Sequence, residues 1–264
     1  MAEYPHILAE NFLENATVSK EGFTENPVYK IEYISDLSRM SKWQGGNSAT
    51  QRLIWTLVDG PRWADTFVFD RNSDITGSSP SVGLYHADSA GGPWTQVKLD
   101  DDSDLVINQP DSDTIYWKTL TPVEARCWSV LLQGLDGMTR TPSIFNVWLG
   151  SRIELTFGPF GDFDPYEEEV TGESLHGASG GFQWTQRFRR RVLRAAFENL
   201  TDSQYGQLSV WWNQAAARGK NWWWLSFPTS EPGDPLYLNC EGMAHRFAVT
   251  SAVRHGIIEA WEVL

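Results

Sequence analysis

Five histidines and a serine in a glycine-rich segment are among the residues of this chain that could support catalysis. Histidine is a common general base and metal ligand. Here the histidines show no metal-ligand spacing, and none follows a nucleophile motif. The serine lies in Gly177–Gly181 without the strand-then-helix setting of a nucleophile elbow, which favours a flexible loop. Paired carboxylates stay open, because any two acids can converge in space. The five histidines are His6, His86, His176, His245 and His255. The sequence therefore predicts a protein that is not an enzyme and has no cofactor.

Two acidic runs offer oxygen ligands for a cation. The run Asp100–Asp104 could bind calcium, but no spaced glutamate completes a calcium loop, so a solvated hairpin tip is favoured. The run Glu167, Glu168 and Glu169 is interpreted first as a solvated loop. The sequence predicts no metal site and leaves a metal at Asp100–Asp104 open.

An arginine cluster stands out in this acidic chain. One interpretation is nucleic-acid contact, which the net charge of −13 disfavours. A second is pairing with carboxylates of a neighbouring subunit, with Glu167, Glu168 and Glu169 as the interface candidates, because guanidinium groups suit interface ion pairs. A third is cross-strand pairing with Glu154 or Glu167–Glu169 of the same chain. The second and third interpretations remain equally weighted. The cluster consists of Arg187, Arg189, Arg190, Arg191 and Arg194.

The composition describes a globular protein. Hydrophobic residues make up 41% of the 264 residues and charged residues 21%. The two cysteines, Cys127 and Cys240, lie in apolar strand-like contexts, so buried free thiols are expected. No apolar stretch has the length of a membrane span, and the first residues lack the features of a secretory signal. We therefore expect synthesis in a cytoplasm, with no sign of Sec export.

Fourteen tryptophans divide into core and surface candidates. Trp43 and Trp94 lie at strand–loop borders, where each is either a core anchor or a platform for a sugar ring. Trp222, Trp223 and Trp224 are consecutive, so alternation in a strand should turn one or two of them away from the core. Exposed tryptophans usually mark interfaces, and the sequence predicts a subunit contact here that includes Trp211. The tryptophans expected in the core are Trp55, Trp117, Trp128 and Trp148.

The pattern of predicted secondary structure changes near Gly150. Residues 1–150 contain short strand-like runs, from Val28–Ile34 to Ile144–Trp148, separated by turns at a spacing typical of β-sandwiches. Residues 151–264 contain strands, a long loop over 158–183, a strand pair at 182–188 and 191–197, and one helix over 202–218. Thr201 and Gln204 form a capping box before that helix, and Gly219 ends it.

The order of the signals in residues 10–150 resembles the discoidin or galactose-binding-like family. That resemblance implies a jelly-roll sandwich used for binding or docking, with Trp43, Asn72 and Trp94 as ligand or docking candidates. The stretches that carry it are Asp36–Trp43, Gln51–Asn72, the turn at Gly77, Val82–Asp88, Gly91–Val97, Ala125–Gly134 and Ser143–Leu149.

Residues 151–264 are similar to the tube-like domain of minor tail proteins from long-tailed bacteriophages. That resemblance implies a β-sandwich with one helix that joins a ring of identical copies. The residues that carry it are Phe197–Thr201, Leu208, Trp211-Trp212, Gly219-Lys220, Trp222–Trp224 and Phe227-Pro228.

Together the two resemblances predict a structural virion protein of a phage tail tip or baseplate, made in the bacterial cytoplasm. Its C-terminal domain would form a ring, most simply a hexamer, that contacts the tail tube and hub. Its jelly roll would dock other tail-tip proteins or bind a host-surface glycan. An acidic ring suits a lumen through which DNA passes without binding. The alternative is a stand-alone carbohydrate-binding module or glycan-binding adhesin; a glycan-degrading enzyme is the weakest interpretation.

Overall fold

The computed structural model shows an all-β protein with one α-helix among the residues it describes, as the sequence predicts. Within those residues, the strands form three antiparallel sheets. No helix there has both the length and the hydropathy needed to cross a bilayer. The described residues are 3–35, 41–112, 114–161, 163–176, 182–231, 233–240, 249–250 and 253–263.

The first eleven strands precede residue 151 and are short, apart from two of ten or more residues. A single-turn 3-10 helix, Ile31–Ile34, lies between the second and third strands. The strands are β1 (His6–Leu8), β2 (Thr17–Glu21), β3 (Trp43–Gln44), β4 (Gln51–Thr56), β5 (Arg62–Ser73), β6 (Ser81–Ala87), β7 (Thr95–Gln96), β8 (Val106–Asn108), β9 (Tyr116–Ala125), β10 (Cys127–Gln133) and β11 (Ser143–Gly150).

In the described part of residues 151–264 there are seven further strands and the helix. The helix α1 (Asp202–Gln214) is followed by a 3-10 turn, Ala216–Arg218. The strands are β12 (Ile153–Glu154), β13 (Glu168–His176), β14 (Phe182–Leu200), β15 (Trp222–Leu225), β16 (Leu236–Asn239), β17 (Val249–Thr250) and β18 (Val253–Glu262).

These elements belong to two compact units, residues 10–152 and residues 1–9 with 153–264. In the first unit, one sheet has the order β2-β4-β10-β6-β7 with β8 beside β6, and the other has the order β3-β11-β5-β9. The second unit contains the sheet β12-β1-β15-β16-β18-β14-β13 with β17 beside β18. The domain boundary predicted near Gly150 places β1 in the N-terminal domain, but β1 pairs with β12 and β15.

The first unit is a β-sandwich because alternate residues of its two sheets meet in one core. Leu53 and Trp55 of β4 and Trp128 of β10 pack in the same cluster as Phe67 and Phe69 of β5. Each large apolar side chain buried in this way stabilises the fold by about 1.5–3 kcal/mol. The residues that alternate with them on β4, including Arg52, project from the opposite face of the sheet.

The helix begins at the capping residues that the sequence predicts. The side chain of Thr201 accepts a hydrogen bond from the backbone N–H of Gln204, and Gln204 completes the capping box. Gly219 ends the 3-10 turn with φ of 64°, in the left-handed region that favours glycine. The helix proper ends at Gln214, before the predicted end at residue 218.

Three sequence predictions about the elements were wrong. Val28–Ile34 is not a strand, and its second half is the 3-10 helix. The segment 158–183, predicted to be a loop, contains β13. The expected strand pair at 182–188 and 191–197 is one continuous strand, β14, whose antiparallel partner over residues 182–191 is β13. Local composition did not indicate the β13–β14 hairpin, because strand formation depends on packing against cross-strand neighbours as well as on the residues of the strand itself.

Candidate functional site

A cleft of about 480 Å³ lies on the face of the β2-β4-β10-β6-β7 sheet that points away from the sandwich core. Volumes of this size are typical of small-molecule sites. The cleft contains one guanidinium, one carboxylate, one indole and several side chains that can form hydrogen bonds. Six of its lining residues are Glu21, Thr50, Arg52, Trp94, Leu131 and Gln133.

Strand pairing places the floor of the cleft. Arg52 on β4 is opposite Glu21 on β2 and opposite Leu131 on β10, and Leu131 is opposite Gly83 on β6. Directly opposed residues of antiparallel strands have side chains on the same face of the sheet. The register therefore aligns an acid, a base, an apolar side chain and a glycine in one row across four strands.

The guanidinium of Arg52 lies close to two aromatic rings. Its carbon is 5.1 Å from the centre of the Tyr85 ring and 5.1 Å from the centre of the Trp94 ring. Such cation–π contacts stabilise a guanidinium more when water is partly excluded. The Arg52 side chain is only 16% exposed. Its Nη1 donates a hydrogen bond of 2.8 Å to Oγ of Ser129.

Two glycines leave space for the Tyr85 and Trp94 rings. A Cβ added to Gly83 would lie 3.0 Å from Cε2 of Tyr85, so the Tyr85 ring uses the space above that glycine. A Cβ added to Gly92 would lie 3.0 Å from Cδ1 of Trp94, and Gly92 has φ of 80°. Oγ of Ser89 donates to the Gly92 carbonyl at 2.9 Å, which fixes the loop before Trp94. The loop conformation and the ring positions therefore depend on each other.

The three predicted ligand residues lie in different surroundings. Trp94 lines the cleft, and its part in binding stays a prediction. Trp43 is fully buried in the sandwich core, with Phe23 edge-on at 5.5 Å, so the interpretation of Trp43 as a sugar platform was wrong. Asn72 pairs through its backbone with Ile144, and its side chain lies outside the described part of the structure.

Sequence reasoning missed Arg52 and Tyr85, which line or border the cleft beside Trp94. One signal was available for Arg52, because it is a charged residue directly before the apolar run Leu53–Trp55 of a strand. No local signal connects Arg52 with Tyr85 or with the loop of Trp94, since only the sheet register brings them together.

The predicted subunit-contact tryptophans are core residues of the second unit. Trp211, Trp222, Trp223 and Trp224 are each at most 1% exposed, so the expectation that some are exposed was wrong. The rings of Trp211 and Trp222 meet at 5.0 Å, and Trp223 stacks on Tyr237 at 4.7 Å. Alternation was the right rule for β15, but both of its faces are buried, so neither leaves a ring in water.

The arginine cluster pairs largely within the chain. Arg190 binds Glu169 at 3.0 Å. Arg191 lies 2.6 Å from Asp234 and 3.4 Å from Glu262. Cross-strand pairing, one of the interpretations left open, thus accounts for most of the cluster without a neighbouring subunit. The other in-chain pairs are Arg189 with Glu168 and Arg194 with Glu167, and Arg187 is exposed.

A second cleft, in the unit with the helix, is a weaker candidate. It has a volume of about 690 Å³ and contains Tyr166, Arg191, Glu231 and Asp234. The hydrogen bond from the Tyr166 hydroxyl to Glu231 raises the pKa of that phenol to about 12. The charged groups therefore bind one another, and none points to a ligand. Among the described residues, no cluster of three His, Cys, Asp or Glu side chains could hold a metal ion.

The sequence matches no known family and no curated protein. Solved structures with a similar fold include a chitosan-binding module of a chitosanase/glucanase from Paenibacillus sp. IK-5, with 17% identity, a TM-score of 0.40, and coverage of 53% of this chain and 98% of that one. A Clostridium perfringens carbohydrate-binding module in complex with GalNAc-β-1,3-galactose has 13% identity, a TM-score of 0.42, and coverage of 53% and 99%.

A fucosidase from Ruminococcus gnavus in complex with fucose has 12% identity, a TM-score of 0.42, and coverage of 54% of this chain and 26% of the fucosidase. These neighbours are thus carbohydrate-binding modules and a larger enzyme. None of the comparisons supports the resemblance to phage tail proteins.

Proposed function

We propose that the unit formed by residues 10–152 is a non-catalytic glycan-binding module whose ligand occupies the cleft of Arg52 and Trp94. The observation that carries this proposal is the position of the Arg52 guanidinium. It lies 5.1 Å from the centres of two aromatic rings, at the floor of an open cleft, with hydrogen-bond donors left over.

The chemistry of these groups suits a sugar. Aromatic rings such as Trp94 offer flat apolar area to the C–H faces of a pyranose, and the polar edge of the sugar needs donors and acceptors around it. Arg52 supplies donors, Glu21 supplies an acceptor, and the amide of Gln133 supplies both. No nucleophile or isolated acid pair is needed for binding alone.

The site is also prearranged. Most of the Arg52 side chain is buried, and both rings near it are positioned by glycines in the backbone. Side chains that are already ordered lose less conformational entropy when a ligand binds. A module of this kind can therefore bind a small sugar unit without a large rearrangement.

A glycan array probed with the full chain, followed by calorimetry of the glycans retained, tests the proposal. Trp94→Ala should weaken binding about tenfold or more, because stacked apolar area is lost. Trp63→Ala is the matched control, since Trp63 belongs to the same unit, is 57% exposed and does not line the cleft. Equal binding by both variants, or no glycan retained by the folded wild-type protein, would contradict the proposal.

A second candidate function is structural assembly, as in the predicted tail-tip protein. Residues 182–191 of β14 pair with β13, whereas residues 192–200 pair with β18. Among the described residues, the outer part of this hairpin is thus two-stranded. Two-stranded hairpins are marginally stable alone in water, so a hairpin of this kind favours a partner that covers it.

In this second proposal, identical copies form a ring, the ring contacts other tail proteins, and the protein is part of a virion. Analytical ultracentrifugation over a wide range of concentrations should show a defined oligomer. Shortening the hairpin between residues 171 and 187 with a glycine turn should leave a folded monomer. A wild-type protein that stays monomeric at every concentration would contradict self-assembly.

A further inference from the structure

Arg52 differs from Arg190 and Arg191, two other largely buried arginines, in its counter-ion. Arg190 and Arg191 each have a carboxylate oxygen within 3.0 Å. Arg152, which is 15% exposed, has a carboxylate oxygen of Asp65 at 3.5 Å and also donates a hydrogen bond to the backbone oxygen of Asp65 at 2.9 Å. Arg52 is almost equally buried, but its nearest carboxylate among the described residues, Glu21, is 3.6 Å from Nε.

That distance is too long for a charge-assisted hydrogen bond, which measures about 2.7–2.9 Å. A guanidinium carries five N–H donors. Within the described residues, Arg52 donates a hydrogen bond to Ser129 alone. The remaining donors belong to a group that lines the cleft, so they are available to an acceptor placed there.

The geometry favours a planar acceptor with two oxygens. A guanidinium presents its donors as a rigid fork, and a carboxylate matches that fork with two parallel hydrogen bonds. The rings of Tyr85 and Trp94, both 5.1 Å away, hold the guanidinium in place. Partial burial also weakens the screening of its charge, so a full negative charge gains more there than a hydroxyl group does.

Glu21 leaves room for such a ligand. Its side chain is 68% exposed, and an exposed pair at this distance contributes little to stability. A ligand carboxylate can therefore take the guanidinium while Glu21 turns toward solvent. The charge of Glu21 nevertheless repels an incoming anion, so its removal should strengthen the binding of anions.

We propose that the cleft prefers a carboxylated sugar, such as a uronic-acid residue, over a neutral one. This inference rests on the proposed glycan-binding function and adds the charge of the ligand. Arg52 binds the carboxylate, and Trp94 packs against the sugar ring. A sugar is favoured over an acidic peptide because the half-buried indole in the wall of the cleft provides apolar surface next to the cation.

The acidity of the whole chain does not exclude an anionic ligand. The net charge of −13 slows the approach of an anion from a distance. At physiological ionic strength, however, exposed charges are screened beyond about 8 Å. The binding of an anion inside the cleft therefore depends on the partly buried Arg52 and the nearby Glu21.

Calorimetry with the full chain can test the preference, using oligogalacturonate and a neutral galacto-oligosaccharide of the same length. Oligogalacturonate should bind about tenfold more tightly, and high salt should weaken only its binding. Arg52→Gln should abolish the preference, because it weakens the binding of oligogalacturonate more than that of the neutral sugar, whereas Arg52→Lys should retain part of the preference. Glu21→Gln should raise the ratio of the affinity for oligogalacturonate to the affinity for the neutral sugar, because it removes the charge that repels an anion.

The outcomes separate the inference from the proposed function. Equal or tighter binding of the neutral sugar overturns the inference and leaves the glycan-binding function standing. Binding of neither sugar, or of any glycan on the array, by a protein with an unaltered circular dichroism spectrum overturns both. Binding of a polyglutamate peptide as tightly as oligogalacturonate, through Arg52, overturns the assignment to a sugar. Trp63→Ala should behave as the wild type throughout.

Discussion

The guanidinium carbon of Arg52, on a central strand of the first sheet, lies 5.1 Å from the centre of the Trp94 ring, which follows a glycine-rich loop. The contact joins a strand whose register is fixed by the sandwich to a loop whose conformation depends on Gly92. The proposed ligand site therefore has one rigid side and one side that substitutions in the loop can displace.

Gly92→Ala should displace Trp94 and weaken binding of the glycan selected on the array. The added Cβ would lie 3.0 Å from the indole, and φ of 80° costs an alanine about 1–2 kcal/mol. Gly60→Ala is the matched control, since Gly60 has φ of 96° with nothing within 4 Å. Both variants should lose similar stability in urea unfolding, and only Gly92→Ala should lose affinity in calorimetry. Equal affinities would show that Trp94 does not contact the ligand.

Trp222→Ala should destabilise the protein by about 3–5 kcal/mol, because it removes a fully buried indole that contacts Trp211 at 5.0 Å. Trp63→Ala, at an exposed indole, should change stability by less than about 0.5 kcal/mol. Chemical denaturation followed by circular dichroism measures both. A small effect at Trp222 would mean that this ring is not in the core.

Both cysteines should be unreactive in the native protein. Cys127 and Cys240 are buried free thiols, as the sequence predicts, and burial raises the pKa of the Cys240 thiol to about 12. The thiolate is the reactive form, so little of it is present at neutral pH. Titration with an aromatic disulfide reagent should label neither cysteine in buffer and both in denaturant. Rapid labelling of Cys240 in buffer would contradict its burial.

His86 should make the protein less stable as the pH falls below about 6.5. Burial lowers the pKa of His86 from its ordinary value of 6.5, and the nearby charge of Asp88 partly opposes this shift. The unfolded chain therefore binds the proton more readily, so this contribution is fully present above 6.5 and decreases toward the lower folded-state pKa. His86→Gln should flatten that part of the curve of unfolding free energy against pH. An unchanged slope would show that His86 does not titrate abnormally.

The amino-acid sequence by itself determined the local elements with explicit signals. Thr201 and Gln204 begin the helix, and Gly219 ends the turn after it, because capping groups act on neighbouring backbone atoms. Strand alternation placed Trp55 and Trp128 in the core. Of the site, the sequence indicated only Trp94, since an aromatic residue after a glycine-rich turn is a local feature.

The tertiary structure alone decided which faces are covered and which distant residues meet. Trp222, Trp223 and Trp224 alternate as a strand requires, but both faces of their strand are buried, and no local pattern shows what covers the second face. Glu21, Arg52 and Trp94 share a cleft because of antiparallel register between segments far apart in the chain. Register depends on the packing of the whole sandwich core, so it cannot be deduced from the propensities of short segments.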